Sequence, residues 1–177
     1  MRTPSSTIPE GLELINDADG ITIRKVWRTW QVAPLAIFAI FWDGFLLFWY
    51  SQAISQPSPA EPMILFFPLI HVAMGVCITY YVVASLFNKT DVVISISGIK
   101  VSIYPVPWFG SKEVKREEIT DIIVRERYGN RNRRSYAIMY VDYTRKEKKL
   151  LASIPESDQA EFIAQTIRDA TGIRMQS

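Results

Sequence analysis

Two long apolar stretches decide the fold: residues 32–50 are VAPLAIFAIFWDGFLLFWY, and residues 62–87 are PMILFFPLIHVAMGVCITYYVVASLF. About 20 apolar residues, at 1.5 Å rise each, cross a hydrocarbon core of about 30 Å, so each stretch is long enough to span a membrane as a helix. Aromatic residues typical of the membrane–water interface accompany both stretches, as at Trp30 and Tyr81. A short polar link, residues 51–61, joins them, and we expect a transmembrane helical hairpin over residues 32–87.

Basic residues flank this hairpin on one side only. Arg24, Lys25 and Arg28 precede the first stretch and Lys89 follows the second, whereas the link contains neither Lys nor Arg. The positive-inside rule therefore predicts that both termini are cytoplasmic. Residues 1–11 are polar and are expected to form a disordered tail, so the first span itself would direct the chain to the membrane.

After the hairpin, the period of the apolar residues changes from helical to two, which is typical of strands. Alternation continues on both sides of a Ser97-Gly98 turn, and further strands are predicted at residues 111–115, 119–127, 135–144 and 149–154. Before the hairpin, residues 12–31 contain a short predicted β-hairpin whose strands can join the same sheet. We therefore expect about seven short antiparallel strands.

A C-terminal helix is predicted for residues 157–170. Ala160, Ile163, Ala164, Ile167 and Ala170 fall on one face of this helix, and Gly172 is placed to end it. A strongly bent antiparallel sheet closed by one amphipathic helix is the layout of a pleckstrin-homology-like (PH-like) barrel. The predicted fold class is thus a membrane α-helical hairpin plus an α+β or all-β domain, with residues 88–177 as the PH-like domain.

Asp43 and His71 lie within the predicted spans. An Asp near the middle of a span costs about 3 kcal/mol on insertion, so Asp43 must be neutral, paired or facing water. His71 falls at a similar depth in the second span, and we predict that it contacts Asp43. We assign helix-contact roles to Ala39, Gly44, Gly75 and Thr79, because small residues allow helices to approach closely. The polar pair would be a structural clamp, or alternatively a proton or ion site in an oligomer.

Two further segments are candidate surfaces for a membrane or a partner. The loop after the second strand of the domain carries Trp108 and Phe109, which would either enter the headgroup region or cap the barrel against the N-terminal hairpin. A basic cluster surrounds one predicted hairpin: Arg125, Arg127, Arg131, Arg133 and Arg134. From residue 88 onward there are sixteen Lys and Arg against twelve Asp and Glu, which favours weak attraction to anionic lipid or an acidic protein surface. An ordinary solvated surface is the alternative.

Several short motifs carry a resemblance to a known family. They are Trp42-Asp43-Gly44-Phe45, His71-Val72-Ala73-Met74-Gly75, Asn88-Lys89-Thr90, Pro105-Val106-Pro107-Trp108 and Gly172-Ile173. Over residues 27–173 the chain resembles a family of small bacterial membrane proteins with two helices and a PH-like cytoplasmic domain. The resemblance implies a multi-pass protein of the bacterial inner membrane or another internal membrane. It implies no activity.

The sequence contains no recognisable catalytic chemistry. Its one histidine and its one cysteine, Cys77, both lie in the second span, and no phosphate-binding loop, catalytic serine motif or metal-ligand pattern occurs. No cofactor, metal or nucleic acid is expected. The leading hypothesis is a non-enzymatic scaffold whose PH-like domain binds a protein partner or anionic lipid at the cytoplasmic membrane face. The alternative is an oligomeric ion- or proton-conducting protein that uses Asp43 and His71.

Overall fold

A computed structural model gives the structure of the chain and describes residues 8–17, 20–27, 30–55, 63, 66, 68–128 and 134–173. By their internal contacts the residues divide into two compact units. The helical unit is Trp27–Asn88. The β unit combines Met1–Val26 with Lys89–Ser177, so the helical unit is an insertion in its sequence.

The helical unit contains two long helices that pack against each other. A 3₁₀ turn, Trp30–Val32, leads into α1, Ala33–Ile54, and α2 is Leu69–Phe87. Both helices are long and apolar enough to cross a membrane. The residues of α1 that α2 and its neighbours bury are spaced by seven, namely Ala39, Leu46 and Ala53, which is the spacing of a helix-packing seam.

The ends of both helices differ from the expected ones for local reasons. The first helix continues beyond residue 50 to Ile54, and its last turns carry two further hydrogen bonds: the Ser51 hydroxyl donates to the Phe48 carbonyl and the Ser55 hydroxyl to the Ser51 carbonyl, each at 2.7 Å. The second helix begins at Leu69 because Pro68, which lacks an N–H donor, occupies its N-cap. Most of the predicted start of this span, residues 62–67, lies outside the described residues.

The first sheet of the β unit is an antiparallel meander of five strands. They are β1 Leu12–Asp17, β2 Gly20–Val26, β3 Lys89–Ser95, β4 Gly98–Tyr104 and β5 Lys112–Lys115, paired in chain order. At the tight turn between β3 and β4, Gly98 has a φ of +153°, and a Cβ there would lie 2.3 Å from the Val114 carbonyl oxygen. Only glycine fits this approach of two backbones.

The helical unit interrupts this meander between two neighbouring strands. Val26, the last residue of β2, pairs with Lys89, the first residue of β3. Within the inserted unit, the Trp27 N–H donates to the Asn88 carbonyl at 3.1 Å, which extends the pairing by one step. The expectation that the N-terminal strands join the sheet is confirmed by this β2–β3 ladder.

The second sheet and a helix complete the β unit. The strands β6 Asp121–Tyr128, β7 Arg134–Val141 and β8 Glu147–Ile154 form an antiparallel sheet, and α3 is Ser157–Thr171. Gly172 follows α3 with a left-handed φ of +68°, as expected of a helix stop. The helix buries its predicted apolar face, and one hydrophobic cluster includes side chains from both sheets and α3.

The observed architecture is mixed helix and antiparallel sheet with two apolar helices, as the sequence predicts at this level. In the part of the chain that the structure describes, neither sheet closes on itself. A closed barrel of the PH-like kind therefore stays a prediction.

Candidate functional site

Asp43 lies on the side of α1 that faces α2. Its carboxylate Oδ2 accepts a hydrogen bond of 2.6 Å from the hydroxyl of Thr79. Thr79 was expected at the helix contact, but the predicted partner of Asp43 was His71. The Thr79 hydroxyl thus supplies one hydrogen-bond partner to a carboxyl group on a largely apolar helix.

Gly75 allows this close approach of the two helices. A Cβ at Gly75 would lie 2.7 Å from Asp43 Oδ1 and 3.1 Å from Trp42 Cδ1, so any larger residue would collide with both side chains. Gly75 is buried, in agreement with its predicted contact role. The residue thus sets how near α1 comes to α2 at the level of Asp43.

His71 lies one helical turn before Gly75 and contacts Trp42. The two rings stack with centroids 5.8 Å apart, and Trp42 Nε1 donates to the His71 carbonyl at 3.1 Å. A direct bond between Asp43 and His71 stays a prediction. The structure adds Trp42 to this polar group, which sequence reasoning missed because its role depends on the rotation of α1 about its axis.

The other two predicted helix contacts have different outcomes. Ala39 is buried on the packing side of α1. Gly44 is exposed, and a Cβ there would meet no atom within 4 Å. Gly44 therefore does not belong to the helix contact: it lies one residue beyond Asp43, which turns it by about 100° away from α2.

An open apolar groove of about 790 Å³ runs along the helical unit beside Asp43. Leu46, Val76 and Thr79 are among the residues that line it. The carboxylate of Asp43 is thus accessible from the groove as well as bonded to α2. Such a groove suits an acyl chain or an apolar helix, with the Asp43 carboxyl and the Thr79 hydroxyl in its wall.

A second polar network lies on the β unit. Arg24 on β2 donates to both carboxylate oxygens of Asp91 on β3, at 2.9 and 2.8 Å, and the Tyr104 hydroxyl donates to Asp91 at 2.6 Å. Burial alone would raise the pKa of Asp91, but the hydrogen bonds from Arg24 and Tyr104 outweigh it and hold that pKa below its usual range. The sequence alone does not predict this network, because Arg24 and Asp91 are seen to face each other only once the register of β2 and β3 is known.

Next to Arg24, the side chain of Lys25 is half-buried. Burial lowers the pKa of Lys25 to about 8, against a weaker opposite effect of Glu156. A lysine in this state loses its charge near the upper end of the physiological pH range.

The predicted basic surface is partly neutralised. Arg125 hydrogen-bonds and pairs with Glu147, and Arg134 lies 3.6 Å from Glu126. Arg127 is exposed at the end of β6. Arg131 and Arg133 lie outside the described residues. The sequence could not reveal the two ion pairs, because they depend on how neighbouring strands align.

The loop after β4 holds the two predicted aromatic residues in different environments. Trp108 is half-buried, whereas Phe109 is 94% exposed. Ser111 closes the loop by accepting the Ile103 N–H at 3.0 Å on its hydroxyl oxygen. Phe109 therefore projects from a loop that is held against the sheet.

Within the described ranges, no group of three or more His, Cys, Asp or Glu side chains is arranged to hold a metal ion. No protein-family model matches the chain, and no curated protein matches it significantly.

Proposed function

We propose that the chain is a non-enzymatic, two-span membrane protein that presents a PH-like domain to a protein partner or anionic lipid at the cytoplasmic face. One observation carries the proposal: a helical unit that is apolar on all sides is inserted between two adjacent strands of a mixed α/β unit. This arrangement fixes both ends of a membrane hairpin to one folded domain.

The exposure of the helices supports a membrane environment. In the apolar windows of α1 and α2 only 17% and 22% of the residues are buried. Side chains such as Ile40, Phe41 and Leu47 are more than 70% exposed. A soluble protein rarely exposes an apolar surface of this extent, whereas lipid covers it at no cost.

The β unit supports the PH-like and cytoplasmic parts of the proposal. Its sheets of five and three strands share one core with a C-terminal helix, as a PH-like fold requires. Arg24, Lys25 and Lys89 lie beside the connections to the helices, and basic flanks favour the cytoplasmic side. At the C terminus, a fused reporter that works only in the cytoplasm should then be active, and one that works only outside should be inactive.

The proposal is tested by identifying the lipids and proteins that co-purify with the full-length chain. Membranes would be washed with alkaline carbonate, and the chain would then be purified in mild detergent and analysed by native mass spectrometry. We expect it to resist the wash and to retain anionic lipid or a protein partner that a similarly tagged, unrelated two-span protein does not retain. A chain that the wash releases, or a monomer with neither lipid nor partner, would contradict the proposal.

The open groove beside Asp43 favours one alternative, an oligomeric proton- or ion-conducting protein. Two helices alone cannot enclose a pore, but the groove beside Asp43 leaves this titratable group accessible from outside the hairpin. In an oligomer the groove would be covered by another copy.

Flux measurements in reconstituted vesicles separate the two functions. Asp43→Asn keeps a hydrogen-bond acceptor for Thr79 but cannot titrate. With a structural clamp, neither the native chain nor the variant conducts above protein-free vesicles, and both remain folded. If the native chain conducts protons or ions and Asp43→Asn does not, the scaffold function is wrong and the conducting function takes its place.

A further inference from the structure

We propose that the loop between β4 and β5 inserts Phe109 into the headgroup region of the bilayer that holds the two helices. This inference rests on the proposed membrane anchoring. It gives the β unit a third attachment to the membrane, in addition to its two covalent connections.

Strand register identifies the end of the first sheet that is nearest to the spans along the chain. Lys89 follows Phe87, the last residue of α2, by two residues, and a chain step of 3.8 Å keeps its Cα within about 8 Å of the helix end. Lys89 pairs on one side with Val26 and on the other with Tyr104. These three strand ends therefore lie together where the chain leaves the hairpin.

The loop with Phe109 starts at this same end, directly after Tyr104. The bond between Ser111 and Ile103 keeps the loop close to β4, and Ile103 pairs with Thr90, three residues after the helix. Trp108 packs partly against the protein while Phe109 is 94% exposed. Aromatic rings settle at the headgroup level, so an exposed ring in a loop at the strand ends that connect to the helices is typical of an interfacial anchor.

The chain offers a matched control at the opposite end of the same sheet. Ile96, in the turn between β3 and β4, is also 94% exposed. The six residue steps from Lys89 to Ser95, at about 3.3 Å each, place this turn roughly 20 Å further along the strands. The two side chains are equally exposed and both apolar, and they lie at opposite ends of the sheet.

The experiment uses the full-length chain with its single cysteine removed by Cys77→Ala. Phe109→Cys or Ile96→Cys then carries an environment-sensitive NBD fluorophore, and each protein is reconstituted in vesicles of phosphatidylcholine and phosphatidylglycerol. At position 109 we expect a blue shift of the emission and a loss of intensity when a headgroup-proximal doxyl lipid is added. At position 96 the emission should remain that of NBD in water.

Flotation of the same vesicles shows whether a negative result means that the loop stays outside the bilayer or that the protein is not anchored in the membrane. If the protein floats with the vesicles but NBD at position 109 is as water-exposed as at 96, the loop does not enter the bilayer. Equal quenching at both positions would also overturn the inference, because the fluorophore itself would then be the cause. If the protein does not float, the membrane anchoring on which the inference rests is wrong.

Discussion

Replacing Gly75 by alanine tests the helix contact most directly. The added Cβ would lie 2.7 Å from Asp43 Oδ1 and 3.1 Å from Trp42 Cδ1. The carboxylate cannot move away without leaving the Thr79 hydroxyl, which it accepts at 2.6 Å. We therefore expect either the helices to separate or the Asp43–Thr79 hydrogen bond to break.

The expected change in the free energy of unfolding for Gly75→Ala is the sum of three contributions. Overpacking costs about 1–3 kcal/mol, and a lost hydrogen bond inside a membrane protein adds about 0.6 kcal/mol. The higher helix propensity of alanine offsets about 1 kcal/mol of this. The expected net loss for Gly75→Ala is about 1–2 kcal/mol.

Gly44→Ala is the matched control, because its Cβ would meet nothing within 4 Å. This substitution gains the same helix propensity without a collision, so the difference between the two variants isolates the contact. We expect Gly75→Ala to be less stable than Gly44→Ala by about 2–3 kcal/mol in free energy of unfolding. Unfolding of the full-length chain by sodium dodecyl sulfate in mixed micelles, followed by tryptophan fluorescence, measures this difference.

A double-mutant cycle with Thr79→Val identifies the mechanism. If Gly75→Ala acts by displacing Asp43 from Thr79, the two substitutions share one cost and their effects do not add. Equal stability of Gly75→Ala and Gly44→Ala would refute the close approach of the helices. Full additivity would refute the role of the Thr79 hydrogen bond.

Three other predictions concern the β unit. Ile163 on α3 is 1% exposed, so Ile163→Ala should lower the free energy of unfolding by about 2–5 kcal/mol in chemical denaturation, and an unchanged value would mean that α3 is not part of the core. Because the pKa of Asp91 is lowered, its stabilising effect is present above the unfolded-state pKa of about 3.9 and is lost as pH falls through the folded-state pKa. Asp91→Asn should therefore have a lower free energy of unfolding at pH 7 and lose less of it on acidification. Parallel curves of unfolding free energy against pH for the two proteins would disprove this. Burial lowers the pKa of Lys25 to about 8, so between about pH 8 and 10 the unfolded state binds more protons than the folded state and the free energy of unfolding should rise with pH. This rise should be smaller in Lys25→Met. Identical profiles of unfolding free energy against pH would contradict the burial of this amine.

The sequence predicted those parts of the fold that depend on local patterns. The length of the apolar runs determines the two helices, and the period-two alternation determines most strands. The end of α1 was missed because the helix continues through the polar residues Ser51 and Gln52 to Ile54, beyond the end of the apolar run. Hydropathy alone does not show where such a polar helix end stops.

The candidate site was predicted less completely, because it depends on the relative rotation and alignment of elements. Counting residues from the helix ends gave the depth of Asp43, but depth does not determine which residue of α2 faces it. Thr79, which donates to Asp43, lies two helical turns beyond His71, and a bond between Asp43 and His71 stays a prediction. For the same reason the pairing of Arg24 with Asp91 could be found only after the register of strands distant in sequence was known.

The insertion of the helical unit between β2 and β3 has a consequence for biosynthesis. The ribosome makes β2 before both spans and β3 after them, so the first sheet cannot be completed until the whole hairpin has been synthesised. In a chain anchored as proposed, a second span that fails to return would leave β3 on the opposite side of the bilayer from its partner strand. In such a chain, completion of the first sheet would require both spans to have the correct topology, and a chain with the wrong topology would keep unpaired strand edges.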